Sequence, residues 1–109
     1  MSSRSHSATI RAALLQAVDD GLQALGEIVR AAIYERIERS YEVRPEEIPE
    51  KLEAFHHAQE ELFGKSGAKV MEKLIAMNLY GRLGLNFTAH ENWTLIDYVN
   101  HAKKVKRDV

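Results

Sequence analysis

The residues best suited to hold a metal ion are His56 and His57, which Glu60 and Glu61 follow one helical turn later. A spacing of four residues lets an imidazole and a carboxylate meet on one face of a helix, where both can bind a metal. A metal site needs three or four convergent ligands, and the sequence identifies no such set. A solvated helix face gives the same spacing, so we name no metal site, and metal binding by these four residues stays open.

Two weaker patterns concern catalysis. Gly64-Lys65-Ser66 is similar to the end of a phosphate-binding loop, but Gln59 stands where that loop has its first glycine, and no strand pattern precedes it. Ser66, His90 and Asp97 occur in the order of a hydrolase triad without the glycine-flanked turn that exposes such a serine. A small enzyme or ligand sensor would need a pocket of convergent polar groups, which the sequence does not indicate. We therefore expect no catalytic residue, no cofactor and no enzyme.

The basic C-terminal end carries Lys103, Lys104, Lys106 and Arg107. Clustered lysines of this kind make non-specific contacts to the phosphates of nucleic acids. Positive residues are also favoured at the C-terminus of a helix by its dipole, which needs no partner. With 15 basic and 16 acidic side chains the chain has no global field that would hold nucleic acid, so this contact is the alternative reading.

Composition indicates one small globular domain. The 109 residues are 45% hydrophobic and 28% charged, and a chain of this length buries roughly two-thirds of its unfolded surface. There is no cysteine, and no uncharged stretch is long enough to cross a bilayer. We expect a cytoplasmic protein without a membrane partner, with a flexible N-terminus over residues 1–8 and a single helical domain over residues 9–109.

Apolar residues recur at helical spacing throughout the chain, which predicts an all-α bundle of about five short helices with no sheet. Gly26, Pro49, Gly64 and Gly84 are the expected corners, and Thr88 with Glu91 forms a capping-box pattern for the last helix. The predicted inward faces are Ile10, Leu14, Leu15, Val18, Leu22 and Leu25; Ile28, Val29, Ala32, Ile33 and Ile37; Leu52, Phe55, Ala58 or Gln59, Leu62 and Phe63; Val70, Met71, Leu74, Ile75, Asn78, Leu79 and Leu83; and Leu95, Ile96, Val99 and Ala102.

The helix over residues 67–83 has the widest apolar face and is the predicted place for a protein interface. Thioethers and amphipathic rings suit a docking surface because they adapt to a partner. The residues expected to line this interface are Met71, Leu74, Ile75, Met77 and Tyr80. A core position is the plain alternative for each of them.

The stretch from about Leu22 to Leu85 resembles a small helical domain known mainly from archaea, the fifth Nitrosopumilus output domain. The resemblance is carried by Ala-Leu-Gly-Glu at 24–27, Ala-Ile-Tyr at 32–34, Glu-Glu-Ile-Pro-Glu at 46–50, Phe55, Leu-Phe-Gly at 62–64 and Gly-Ala-Lys-Val-Met-Glu-Lys-Leu-Ile at 67–75. It implies an output or protein-interaction module in signal transduction and no catalytic residues. We therefore expect a non-enzymatic module that acts through an apolar helix face as a homodimer in an archaeal-type cytoplasm. The alternative is a nucleic-acid-binding transcriptional regulator that uses the basic C-terminal end.

Overall fold

Helices make up all of the regular structure in the part of the chain that is described. The computed structural model describes the backbone of residues 3–107 and the side chains of residues 8–106. Its elements, in chain order, are α1 (Ser3–Gln23), α2 (Glu27–Tyr41), a 3-10 helix (Pro45–Glu50), α3 (Leu52–Leu83) and α4 (Leu95–Arg107). No strand occurs between residues 3 and 107, which confirms the predicted all-α fold. The radius of gyration is 13.4 Å, close to the value of about 13 Å typical of a compact chain of this length.

The first helix buries one apolar stripe and ends near the predicted corner. Ile10, Leu14, Val18 and Leu22 are buried at steps of four residues. The helix begins at Ser3 rather than at Thr9, and residues 1 and 2 of the predicted flexible terminus lie outside the described residues. Leu15 is half-buried and Leu25 is 42% exposed, so the inward prediction is wrong for Leu25 because it lies past the end of α1.

The second helix contributes less to the core than its sequence suggests. Ile33 and Ile37 are buried, whereas Ile28 is 85% exposed, Val29 is 40% exposed and Ala32 faces solvent. The φ of +105° at Gly26 turns the chain before α2, which then packs on α1 and α3 along one narrow stripe. Ile28, Val29 and Ala32 are therefore corrections to the predicted inward face.

A short 3-10 helix occupies the corner that is predicted at Pro49. Arg44 is extended before Pro45, as a residue preceding proline prefers. Pro49 then lies inside the 3-10 helix, and α3 begins three residues later at Leu52. Ile48 anchors this connection because its side chain is buried in the common core.

The third helix is the centre of the bundle and consists of two segments. Gly64 has φ +76° and ψ 170°, a conformation that is accessible almost only to glycine, so the helix breaks there as predicted. The first segment buries Phe55, Ala58 and Gln59, and the whole of α3 contacts α1, α2, the 3-10 helix and α4. Gly21 of α1 lies so close to α3 that an added Cβ would stand 2.9 Å from Cγ1 of Ile75.

Gly84 ends α3 in the left-handed conformation, and the loop over residues 84–94 leads to α4. The predicted capping box at Thr88 and Glu91 is wrong. Thr94 precedes the helix instead, and its N–H donates to Oδ2 of Asp97 at 2.9 Å, so the same type of cap occurs six residues later. Of the predicted inward face of α4, Leu95, Val99 and Ala102 are buried and Ile96 is half-buried.

Candidate functional site

A buried carboxylate lies where the two segments of α3 meet the start of α4. Glu72 is only 3% exposed. Its Oε2 accepts a hydrogen bond from Nε2 of Gln59 at 3.1 Å and lies 2.6 Å from Nδ1 of His56, which donates when it carries the proton. Its Oε1 accepts the backbone N–H of Leu95 at 3.0 Å. One side chain therefore connects both sides of the Gly64 break with the first turn of α4.

The surroundings of Glu72 explain why a charge is tolerated there. A carboxylate at the N-terminus of a helix meets free N–H groups and the positive end of the helix dipole. Three protein groups already contact the two carboxylate oxygens of Glu72 at hydrogen-bond distance. Because both oxygens have partners within the chain, the arrangement suits a structural role better than the binding of a ligand. The remaining polar atom of this cluster, Oε1 of Gln59, is buried without a hydrogen-bond partner.

The residues weighed as metal ligands face different partners. Nε2 of His56 lies 3.5 Å from Glu60, whereas Nε2 of His57 lies 3.8 Å from the exposed Glu53. Burial raises the pKa of Tyr41, and hydrogen bonding to Glu61 raises it further, so Glu61 is directed toward Tyr41. Within the described residues, no group of three or more histidines and carboxylates is arranged to hold a metal ion.

The sequence does contain a signal for Glu72 that the pattern analysis missed. Ala68, Ile75, Ala76 and Leu79 are buried on the same face of α3, and Glu72 occupies the middle of that face. A charged residue within an apolar helical stripe indicates a buried and paired charge. Its partners could not have been named, because they come from 13, 16 and 23 residues away.

The five predicted interface residues separate into two groups. Met71, Ile75 and Tyr80 are at most 4% exposed and belong to the core of the chain itself. Leu74 and Met77 are 40% and 47% exposed. The apolar face of α3 is thus wider than the surface that the rest of the bundle covers, and only part of it is available to a partner.

Together with two neighbours, Leu74 and Met77 form a line along the outer side of α3. Val70 is 61% exposed, and Gly81 is an exposed helical glycine at which an added Cβ would meet nothing within 4 Å. The steps between positions 70, 74, 77 and 81 are four, three and four residues, the spacing by which one helix packs along another. We call Val70, Leu74, Met77 and Gly81 the α3 seam.

Aromatic side chains fasten the loop between α3 and α4 to the bundle. The hydroxyl of Tyr80 donates to the backbone oxygen of Tyr98 at 2.7 Å, and burial raises the pKa of Tyr80 to about 12. The ring of Tyr80 also meets the ring of Phe87 edge-on, with the centroids 5.5 Å apart. Trp93 stacks on His90 at a centroid distance of 3.8 Å. This packing makes the loop a fixed wall beside α3.

The predicted nucleic-acid residues lie at the end of α4. Lys103 and Lys104 are exposed and Lys106 is half-buried, while the side chain of Arg107 lies outside the described part of the chain. Lys103 is near Glu50, whose pKa is lowered by a hydrogen bond from Arg11 and, to a smaller extent, by the lysine charge. The basic end is therefore partly balanced by a carboxylate of the 3-10 helix.

The residues of the two weak catalytic patterns have structural roles. Asp97 accepts hydrogen bonds from the N–H and the hydroxyl of Thr94, and the ring of His90 stacks on Trp93. Gly64 is the helix break, so the Gly64-Lys65-Ser66 stretch joins two helical segments rather than following a strand. The contacts of the described residues do not assemble a triad or a phosphate-binding loop from them.

Comparison with protein-family models, with curated proteins and with solved structures finds no match for this chain. A likeness to the archaeal output domain accordingly remains a prediction from the residues quoted above. Over the described residues, none of the helices combines the length and the apolar character that crossing a bilayer requires.

Proposed function

We propose that this chain is a non-enzymatic interaction module, of the signalling-output type, that docks a helix on the α3 seam. The observation that carries the proposal is the exposure of Val70, Leu74 and Met77 in one line on a helix whose other side is buried. Exposed apolar residues in a continuous line are typical of interaction surfaces, whereas isolated ones are common on any protein. The resemblance to the archaeal output domain supports the same function and a cytoplasmic location.

A second copy of the chain is the partner that this seam fits best. If two α3 helices lie antiparallel about a twofold axis between positions 75 and 76, Leu74 of each copy faces Met77 of the other. Val70 then faces Gly81, where the missing side chain leaves room for close approach. Because every seam residue meets a complementary one, the surface satisfies the requirement of a twofold interface that it match itself.

Three further exposed apolar residues can enlarge the contact. Leu25, Ile28 and Val29 surround the corner between α1 and α2. Gly21, one helical turn before Leu25, packs on Ile75, which follows Leu74 along α3 but lies on its buried face. A stable dimer buries about 800 Å² on each partner, and the seam together with this corner offers a larger apolar area than the seam alone.

Sedimentation velocity across a dilution series tests the proposal. We expect a monomer–dimer equilibrium, and we expect Leu74→Glu to weaken it at least about tenfold because it places a charge in an apolar contact. Ile75→Glu is unsuitable as a test, since Ile75 is fully buried and the change would unfold the protein.

Ala12→Glu is the matched control because Ala12 is exposed on α1 and the charge change is the same. It should leave the equilibrium unchanged, and circular dichroism should show both variants to be folded. A protein that is monomeric at every concentration, or a dimer that tolerates Leu74→Glu, would contradict the homodimer.

A second candidate function, contact with nucleic acid, is favoured by the exposure of Lys103 and Lys104 at the end of α4. It predicts binding to duplex DNA that weakens steeply with salt. The double variant Lys103→Glu, Lys104→Glu should abolish this binding, whereas Lys65→Glu on α3 should have a smaller effect. Salt-insensitive or undetectable binding in fluorescence anisotropy would end this candidate.

A further inference from the structure

A cavity of about 430 Å³ lies between the outer face of α3 and the loop that leads to α4. Lys69, Val70 and Lys73 form its α3 side, and Trp93 and Tyr98 lie in the opposite wall. We call this cavity the lysine groove. Its volume falls within the range of about 300–1,000 Å³ in which proteins bind small molecules.

Hydrogen bonds hold the wall of the lysine groove in place. Tyr98 is 3% exposed, and its hydroxyl accepts the backbone N–H of His90 at 2.9 Å and lies 3.2 Å from the backbone oxygen of the same residue. The ring of His90 in turn stacks on Trp93. Because the loop is attached to buried parts of the bundle, the groove is already formed and a ligand need not order it.

The charges of the lysine groove favour an anion. Lys69 and Lys73 are exposed and one helical turn apart, so their ammonium groups can reach the same point. Within the described part of the chain neither of them forms an ion pair, whereas Arg30 and Arg39 each have a carboxylate partner. Glu91 provides one opposing charge at the groove, which leaves an excess of positive charge.

The remaining surface of the groove is apolar. The side chain of Val70 is 61% exposed beside the two lysines, and Trp93 is half-buried in the facing wall. A hydrocarbon or aromatic body placed between them would remove apolar area from water, at a gain of about 25 cal/mol for each Å². Charge and apolar surface are therefore combined within one cavity.

We propose that the lysine groove binds a small organic anion with an apolar body. The acid head, a carboxylate, sulfonate or phosphate, lies between Lys69 and Lys73, and the apolar body lies between Val70 and Trp93. The ammonium groups donate charge-assisted hydrogen bonds to the head, which are stronger than bonds between neutral groups. The chain is in this respect a sensor of such an anion.

One consequence rests on the proposed function. Val70 belongs to both the lysine groove and the α3 seam, so a ligand that covers Val70 removes one end of the surface that a second copy needs. An occupied groove and an intact dimer contact thus compete, and the bound anion shifts the chain toward the monomer.

The fluorescence of Trp93, the single tryptophan of the chain, reports on the groove directly. The probe is anilinonaphthalene sulfonate, and phenylnaphthylamine is its uncharged analogue. We expect saturable quenching of Trp93 by the sulfonate at concentrations below about 1 mM, with an affinity that falls as salt rises. The double variant Lys69→Ala, Lys73→Ala should weaken binding of the sulfonate at least about tenfold and leave the affinity for the uncharged analogue unchanged.

Controls separate this site from general dye binding. Lys104→Ala, a change of the same kind on α4 outside the groove, should leave the affinity for the sulfonate unchanged, and the double variant Lys69→Arg, Lys73→Arg should restore it. Equal binding of the charged and uncharged probes, or no response of Trp93, would overturn the groove proposal. The dimer is measured without any probe, so its absence would contradict the proposed function alone.

Discussion

The hydrogen bonds of Glu72 allow a quantitative test of how the bundle is held together. Glu72→Leu introduces an apolar side chain of similar size and removes the acceptor for Gln59, His56 and the N–H of Leu95. A hydrogen bond to a charged group contributes about 1.5–3 kcal/mol, and a buried donor left without a partner costs about 1–3 kcal/mol. Since Glu72→Leu would leave two buried donors, Nε2 of Gln59 and the N–H of Leu95, without an acceptor, we expect the free energy of unfolding to fall by about 3–5 kcal/mol.

The isosteric change should be milder. In Glu72→Gln the new oxygen can still accept the N–H of Leu95, while the new amide N–H₂ takes the place of Oε2, which faces Nε2 of Gln59. A 180° rotation of the Gln59 amide lets its Oε1, which has no partner in the native protein, accept from the new N–H₂, so that one polar atom of Gln59 is left without a partner before and after the change. We therefore expect Glu72→Gln to lower the free energy of unfolding by only about 1–2 kcal/mol. Glu72→Leu should therefore lower the free energy of unfolding more than Glu72→Gln does. The two side chains are similar in size, so the difference reports on hydrogen bonding and not on volume.

Urea unfolding followed by circular dichroism measures both losses, and hydrogen exchange should show that the Leu95 amide loses protection first. The total stability of a small domain is about 5–15 kcal/mol, so a loss of 3–5 kcal/mol shifts the midpoint clearly. Glu53→Leu is the matched control because Glu53 lies on the same helix with its side chain 81% exposed, and it should change stability by less than about 0.5 kcal/mol. A loss of less than about 1 kcal/mol for Glu72→Leu would refute the role assigned to Glu72.

Three other predictions concern glycines and a tyrosine. Gly64→Ala should lower the free energy of unfolding by about 1–3 kcal/mol because its φ of +76° strains any L side chain. Gly81→Ala, at a helical position that is open within one chain, should raise it by up to about 1 kcal/mol at concentrations where the protein is monomeric. Urea midpoints measure both changes, and equal effects would contradict a helix break at Gly64. Gly21→Ala should cost about 1–3 kcal/mol in the same assay because its Cβ would stand 2.9 Å from Cγ1 of Ile75. The same change should cost less in an Ile75→Ala background, where Cγ1 is absent. Burial raises the pKa of Tyr80 to about 12 from the ordinary 10.0, so the unfolded chain loses the hydroxyl proton at a lower pH than the folded chain does. The free energy of unfolding should therefore fall as pH rises from about 10 to 12. Tyr80→Phe should reduce this fall in unfolding curves measured across that range.

The positions where the chain turns follow from its local chemistry. Gly26, Gly64 and Gly84 all have positive φ, which other residues adopt only at a cost, so each glycine could be identified as a corner before the structure was known. The inward face of α4 was predictable for a related reason, since its apolar residues form one narrow stripe with a single way to be buried.

The start of α4 shows where local patterns become ambiguous. Both Thr88-x-x-Glu91 and Thr94-x-x-Asp97 match the capping-box pattern, and the chain uses the second. The difference comes from tertiary contacts, because Glu72 accepts the N–H of Leu95 and Tyr98 holds the loop at His90. Pattern matching cannot rank two such caps, since the groups that decide between them lie on another helix.

Helix-forming segments, their corners and the absence of a strand pattern were determined by the sequence itself, because backbone preference and apolar periodicity act over a few residues. The tertiary structure alone decided which side of α3 the bundle covers, burying Met71 and Ile75 while leaving Val70, Leu74 and Met77 exposed. It also decided that Glu72 would be paired, with Lys69 and Lys73 left on the groove. Both outcomes depend on where distant helices lie, and the spacing of residues along one helix contains no information about that.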